Sequence, residues 1–279
     1  MVETLAALIR RASTELPPDI AAALVAARDR EPVGSGAAFT LAALLDNAAL
    51  AADTVVPMCQ DTGTLSFWFD LPRGADPLAY EDAAREAVRA ATRDGCLRLN
   101  VIAPDGSQIS DNVADCNPAI HLRFHADPSA PARATLLMKG GGSENMSRQY
   151  SLPDTELAAG RDPDGVRKCV LDAIWRAQGN GCAPGIIGVC VGGDRAAGFE
   201  KAKEQLLRPL DDTNPDPALA SLETRLFTEA NSLGIGPMGL GGATTILGVK
   251  LCAAARLPAS YFVTIAYSCW ACRRASAAI

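Results

Sequence analysis

The sequence of 279 residues lacks the features that mark several large functional classes. Its net charge of −6 gives no basic surface for binding nucleic acid. It contains no uninterrupted apolar run of the roughly 18–20 residues that are needed to cross a bilayer. The N-terminus, Met1-Val2-Glu3-Thr4-Leu5, lacks the basic and then apolar segment of a secretory leader. We therefore expect a cytoplasmic protein that binds neither nucleic acid nor membranes.

Histidine and aromatic residues are also scarce, whereas cysteine is not. The chain has two histidines, 5% aromatic residues and nine cysteines. An odd number of cysteines in a cytoplasmic chain of this size argues against a disulfide framework. Three of them lie in regular apolar patterns and are predicted to fill the core as small hydrophobic residues: Cys169, Cys190 and Cys252.

Three other cysteines differ because each lies at the edge of a predicted segment, beside turn-forming or charged residues. These are Cys59, Cys182 and Cys269. Their positions favour a chemical role over core packing. Cys96 and Cys116 fit either role.

Periodicity predicts an α/β protein of the mixed α+β type. A helical N-terminal region, broken at Pro17-Pro18, precedes a mixed sheet with flanking helices. Later helices are predicted at 78–94, 165–178, 196–208 and 219–233, and strands at 54–58, 97–101, 121–125, 134–138, 185–192 and before Cys269. One domain over 1–279 accommodates two lobes, and the polar loop at 211–217 is the candidate linker.

The segment Cys59-Gln60-Asp61-Thr62-Gly63 places a thiol, an amide, a carboxylate and a hydroxyl in one predicted turn. A soft metal ligand beside an acid/base group suits metal-dependent proton transfer. Taken alone, the segment is better explained by a buried cysteine that is followed by an Asx-turn.

Glycine-rich segments occur at 139–143, 179–185 and 234–242. None matches G-x-G-x-x-G between a strand and a helix, and none matches G-x-x-x-x-G-K-[ST], so nucleotide binding is disfavoured. Their free backbone amides suit a small anion near a metal.

Cys269 and Cys272 form a C-x-x-C pair, which is compatible with a thiol-redox site or with half of a zinc site. The surrounding pattern lacks a thioredoxin-like βαβ unit, and no second C-x-x-C exists to complete a zinc site. Three widely spaced thiolates fit three irons of a [4Fe-4S] cluster, with one iron left open. Electron-transfer ferredoxins, in contrast, place their cysteines close together.

The chain resembles the N-terminal half of the class I, iron–sulfur fumarate hydratases, which is the α subunit in two-subunit fumarases and L-tartrate dehydratases. The similarity runs from about Asn47 to Arg274. It rests on the order and spacing of five motifs: PMCQDTG at 57–63, KGGGSEN at 139–145, GCAPGIIGV at 181–189, LGIGPMGLGG at 233–242 and CWACRR at 269–274.

The resemblance implies a role for each matching residue. The [4Fe-4S] ligands fall on Cys59, Cys182 and Cys269, and the open iron acts as a Lewis acid on the substrate hydroxyl. Gln60 and Asp61 match the substrate-contacting pair, with Asp61 assisting the proton transfer. Arg98 matches a residue that binds a substrate carboxylate, and Gly141 matches a backbone contact to substrate.

The resemblance further implies a β subunit in a dimer of heterodimers and a small dicarboxylate substrate. Fumarate/malate ranks first, then tartrate, then mesaconate. Because the sequence ends at Ile279 without the β half, this chain is expected to need that partner for turnover. Leu257 stands where the family often has histidine, and Ala183 stands where the family usually has proline. Leu257 motivates the alternative of a catalytically silent cluster-binding subunit.

Overall fold

The computed structural model describes all 279 residues, which divide into two compact units. The first unit comprises 1–17, 46–141 and 271–279, and the second comprises 18–45 and 142–270. The loop at 211–217 that was predicted as a linker lies inside the second unit. The mixed α/β class predicted from periodicity is confirmed by helices and two mixed four-stranded sheets.

The helices in chain order are α1 (Val2–Thr14), α2 (Pro18–Arg30), α3 (Gly36–Thr54), α4 (Pro77–Arg93), α5 (Gly141–Asn145), α6 (Pro163–Ala177), α7 (Arg195–Gln205) and α8 (Pro217–Asn231). The strands are β1 (Thr64–Leu71), β2 (Ala119–Phe124), β3 (Arg133–Lys139), β4 (Arg148–Ser151), β5 (Gly185–Gly192), β6 (Ile246–Ala254), β7 (Phe262–Ser268) and β8 (Arg273–Ala278). No helix is both long and apolar enough to cross a membrane.

Several helices begin at an aspartate cap that is followed by proline. The carboxylates of Asp76, Asp162 and Asp216 accept bonds from backbone N–H groups of α4, α6 and α8. The next position tolerates proline, because the N–H group that proline lacks would have no partner within the helix there. These signals fix the helix starts within a few residues of the predicted ones.

The predicted strand at 54–58 is wrong, because α3 continues through Thr54 and irregular backbone follows. The Val56 N–H bonds to the Ala51 carbonyl at 3.1 Å, and Val55 adopts a φ of 54°. This is the left-handed ending common to helices, although a β-branched residue seldom occupies it. Both valines are exposed, so no burial favours an extended conformation here.

The first unit contains a sheet in the order β2-β1-β3-β8. β1 pairs in parallel with β2 and antiparallel with β3, which pairs antiparallel with β8. Helices α1 and α4 pack together, and their apolar residues form one core with the sheet. Buried Leu5, Ile9, Phe67, Phe69 and Val88 belong to this core, and each contributes about 1.5–3 kcal/mol of burial free energy.

The second unit contains a sheet in the order β4-β7-β5-β6. β5 pairs in parallel with β6 and antiparallel with β7, and β4 adds antiparallel to the other edge of β7. Helices α6 and α8 contribute to its core, and α7 packs on β5 and β7. A Cβ on Gly188 would stand 2.1 Å from the Ala202 carbonyl oxygen, so glycine lets α7 lie close to β5.

The predicted strand at 97–101 is also wrong, because these residues form irregular backbone. Four strands escaped prediction: β1, β4, β6 and β8. β1 and β6 are nearly continuous apolar runs without alternation, which fits strands that are buried on both faces.

Candidate functional site

The Asp61 carboxylate is anchored through one of its two oxygens. Oδ1 accepts hydrogen bonds from the Gly63 N–H at 2.9 Å and from Asn100 Nδ2 at 3.0 Å. The first bond closes the Asx-turn predicted from the sequence. Oδ2 lies 2.9 Å from the position of a Cβ on Gly140 and 3.8 Å from that on Gly141. One oxygen is therefore fixed, and the other faces the glycine segment.

Strand register brings these segments together. Thr64 pairs with Lys139, and Met138 pairs with Arg273. Because both pairings are antiparallel, the start of β1, the end of β3 and the start of β8 meet at one edge of the sheet. Gly63 has a φ of +71°, and a Cβ there would stand 2.3 Å from the Lys139 carbonyl oxygen. Glycine is thus required at this position by both conformation and space.

The irregular segment 98–101 is held in place by the side chain of Asn112. Its Oδ1 accepts from the backbone N–H groups of Asn100 at 2.8 Å and Val101 at 3.2 Å. Its Nδ2 donates to the Arg98 carbonyl at 2.8 Å and to Thr92 Oγ1 at 3.1 Å. Asn112 is buried and left-handed, with a φ of 59°, which asparagine tolerates better than most residues. One amide therefore fixes the backbone that carries Arg98 and Asn100.

Arg98 lies beside Gln60, the other exposed residue that is predicted to bind substrate. Its Nη1 is 3.5 Å from the Gln60 carbonyl oxygen, and both side chains are exposed. A cavity of about 380 Å³ adjoins Asp61, Asn100, Gly141 and further residues of the first unit. The first unit thus brings together Gln60 with Arg98, and Asp61 with Gly141.

Cys182 and Cys269 lie at one edge of the second sheet. Cys182 precedes β5 and Cys269 follows β7, and Ile186 of β5 pairs with Ser268 of β7. The Trp270 N–H donates to the Cys182 carbonyl at 3.2 Å. These two predicted ligands therefore converge although 86 residues separate them in the sequence. Both lie in strand-end loops.

The ring of Tyr267 packs behind the Cys182 loop. A Cβ on Gly181 would stand 2.3 Å from its Cε1, and one on Gly185 would stand 2.6 Å from its hydroxyl oxygen. Burial, followed by the nearby thiols of Cys269 and Cys182, raises the pKa of Tyr267. Glycines on both sides of Cys182 thus let a buried aromatic ring support the loop.

Accessibility separates the predicted ligands from two of the three predicted core cysteines. Cys59 and Cys269 are half-buried and Cys182 is exposed, whereas Cys169 and Cys190 are buried. Burial raises the pKa of the Cys169 thiol to about 12, which keeps it protonated at neutral pH. The core role predicted for these two is confirmed by their burial. The same prediction for Cys252 is wrong, because Cys252 is only half-buried near the end of β6, which is an edge strand.

Three thiols in loops that are not fully buried are a donor set suited to an iron–sulfur cluster. The structure forms no group of three or more His, Cys, Asp or Glu side chains that would hold a metal ion. What it provides is the Cys182–Cys269 pair in the second unit and Cys59 in the first. The three-thiolate ligand set stays a prediction.

Several site-forming residues went unnoticed in the sequence. Asn100 and Asn112 lie in a segment that was predicted as a strand or left unassigned, and Tyr267 had no role beyond a β-former. Arg273 enters the sequence analysis only as part of the motif CWACRR at 269–274. The only sequence signal for Asn112 is a polar residue between a predicted helix and a predicted strand. Its role depends on hydrogen bonds to residues that lie 11 to 20 positions earlier in the chain, which no local pattern reveals.

A family model described as fumarate hydratase (Fumerase) matches residues 2–278. The chain is 44% identical over 279 residues to a candidate class I fumarate hydratase from Geobacillus stearothermophilus. This alignment covers 98% of the chain and 54% of the relative, so the chain spans about half the length of that protein.

Two tartrate dehydratase subunits are also similar. Identity is 34% over 272 residues to a candidate L(+)-tartrate dehydratase subunit alpha from Methanocaldococcus jannaschii, covering 96% of this chain and 93% of the relative. It is 30% over 276 residues to the L(+)-tartrate dehydratase subunit alpha of Escherichia coli K12, covering 98% and 89%. The family resemblance inferred from the sequence motifs is thereby confirmed. The chain belongs to the fumarate hydratase (Fumerase) family.

Proposed function

We propose that this chain is the α subunit of a [4Fe-4S]-dependent hydro-lyase that reversibly adds water to a small dicarboxylate. The observation that carries the proposal is the Asp61 site, where an anchored carboxylate faces Gly140 and Gly141 beside a cavity. Membership of the fumarate hydratase family supports the same reaction class. Fumarate/malate is the first candidate substrate pair, ahead of tartrate and mesaconate.

Cys59, Cys182 and Cys269 would hold the cluster through their thiolates. When bound, the cluster supplies a Lewis-acidic iron for the hydroxyl group that leaves or adds. The accessible strand-end position of Cys182 and Cys269 supports this assignment, as does the packing of Tyr267 behind their loops.

The chain's own residues bind the substrate and move the proton. Arg98 would bind one carboxylate, since a guanidinium offers two parallel N–H donors to two oxygens. Asp61 would accept or return the proton at Oδ2, because its Oδ1 is occupied by two hydrogen bonds. Gln60 and the Gly141 backbone would orient the substrate beside that oxygen.

A β-type partner chain would supply the rest of the pocket. Two relatives are named as subunits alpha, which supports a second subunit. By analogy with the family, we propose that this chain and the β-type chain form a heterodimer, and that two heterodimers associate.

Turnover by anaerobically purified complex tests the activity and the role of Asp61. Asp61→Asn is expected to lower kcat by roughly 10²–10⁴-fold with little change in KM, because asparagine keeps the turn but cannot accept the proton. Full kcat in an Asp61→Asn complex with normal iron and sulfide content would overturn the role. The activity would be overturned if the wild-type complex neither hydrated fumarate or mesaconate nor dehydrated tartrate.

Iron and acid-labile sulfide analysis tests the ligand set. Cys269→Ser is expected to abolish stable cluster binding, whereas Cys272→Ser should retain it. Cys272 lies three residues after Cys269 and is the control for the same substitution. It is buried, whereas Cys269 is half-buried. Equal iron loss in both variants would favour a C-x-x-C metal site.

A further inference from the structure

Arg273, the first residue of β8, is a buried cation with unsatisfied hydrogen-bonding groups. Its side chain is 1% exposed, and neither Nε nor Nη1 has a hydrogen-bond partner. A buried guanidinium without partners costs several kcal/mol of folding free energy in general, so such groups are seldom retained for stability. Its position calls for a functional explanation.

The guanidinium and the Asp61 carboxylate both approach Gly140. A Cβ on Gly140 would stand 2.9 Å from Asp61 Oδ2 and 3.7 Å from Arg273 Nη2. Both atoms are thus within 4 Å of one position, which only glycine leaves empty. The φ of Gly140 is outside the left-handed region, so the close approach of Asp61 Oδ2 is what favours glycine here, whereas 3.7 Å to Arg273 is an ordinary contact distance.

We propose that Arg273 is a positioning residue for Asp61, a fixed positive charge behind Gly140 that holds Oδ2 in its productive orientation. The inference rests on the proposed role of Asp61 in proton transfer. Asp61 is anchored at Oδ1 by neutral donors, Gly63 N–H and Asn100 Nδ2. Arg273 carries a full charge, which neither of these donors does. It acts on Oδ2, the oxygen to which neither donor bonds.

Arg274 provides a matched control on the same strand. Strand alternation directs its side chain to the opposite face from that of Arg273, and it is half-buried. Arg274→Met removes the same charge from the same strand without touching the Asp61 carboxylate.

A double-mutant cycle in the cluster-replete complex tests the coupling. Arg273→Met is expected to lower kcat roughly 10–100-fold in wild type and less than about 3-fold in the Asp61→Asn background. Arg273→Lys should recover part of the loss, and Arg274→Met should change kcat little. Equal fold-losses in both backgrounds would overturn the inference. If Asp61→Asn alone left kcat intact, the proposed role of Asp61 in proton transfer would fail instead.

Thermal unfolding separates positioning from a structural role. Because Arg273→Met replaces an unsatisfied buried charge by an apolar side chain of similar length, Tm is expected to stay the same or rise. A large fall in Tm, or failure of the variant to fold, would show that the arginine stabilises the structure and would overturn the inference.

Discussion

The two carboxylate oxygens of Asp61 lie in different surroundings. Its Oδ1 closes an Asx-turn with Gly63, which is the structural role that the sequence also allowed. Its Oδ2 faces Gly140 and Gly141, and this is the oxygen to which we assign the proposed proton transfer. The two interpretations of the segment are therefore compatible, because they use different oxygens.

Arg98 is expected to act on substrate binding more than on the chemical step. A carboxylate that is bound equally in ground and transition states contributes to KM and not to kcat. Arg98→Met should raise KM roughly 10–100-fold, a modest range because the side chain is exposed in this chain. Steady-state kinetics of the wild-type and variant complexes give the two KM values.

Arg93→Met is the control for that experiment, since Arg93 is an exposed arginine paired with Glu86 at the end of α4. Its KM should equal that of wild type. An unchanged KM in Arg98→Met, or an equal rise in both variants, would refute carboxylate binding by Arg98.

At the scale of the element, the segment 98–101 shows why a strand pattern can mislead. Its alternating apolar and polar residues predicted a strand, yet the backbone bonds to the Asn112 side chain in place of a neighbouring strand. Side-chain amides that compete with backbone ladders are invisible to periodicity. This irregular path presents Arg98 and Asn100 toward the Asp61 turn.

Asn112→Ala is expected to destabilise the first unit by about 2–4 kcal/mol, because it removes several buried hydrogen bonds and places alanine at a positive φ. Urea unfolding measures the change. Asn112→Asp, which retains the two accepted bonds but loses the donated ones, should fall between alanine and wild type. A shift below about 0.5 kcal/mol for alanine would contradict the role of this side chain as the support of the segment.

At the scale of the whole molecule, each unit gathers loops at one edge of a mixed sheet. In the first unit these loops carry Asp61 and Gly141, and in the second they carry Cys182 and Cys269. Antiparallel neighbours place the end of one strand beside the start of the next. Residues far apart in sequence therefore meet without a dedicated motif.

Exposure to air is expected to inactivate the assembled complex. An iron without a protein ligand is open to oxidants and to loss, so activity should decay in air and return with iron and thiol under anaerobic conditions. The loss and the recovery are measured by hydration assays and by iron content before and after each treatment. Full activity after prolonged aeration with a chelator would contradict an open-iron mechanism.

The amino-acid sequence was sufficient to identify the family, the mixed α/β class, most helices and the strand-end positions of Cys182 and Cys269. Local signals suffice for these, because caps, periodicity and motif spacing act over short stretches of chain. The neighbours of Asp61 were decided by tertiary structure alone. Strand register across 64–71, 133–139 and 273–278 brings Gly140 and Arg273 to that carboxylate, and no local pattern encodes a register between strands that lie more than 60 residues apart.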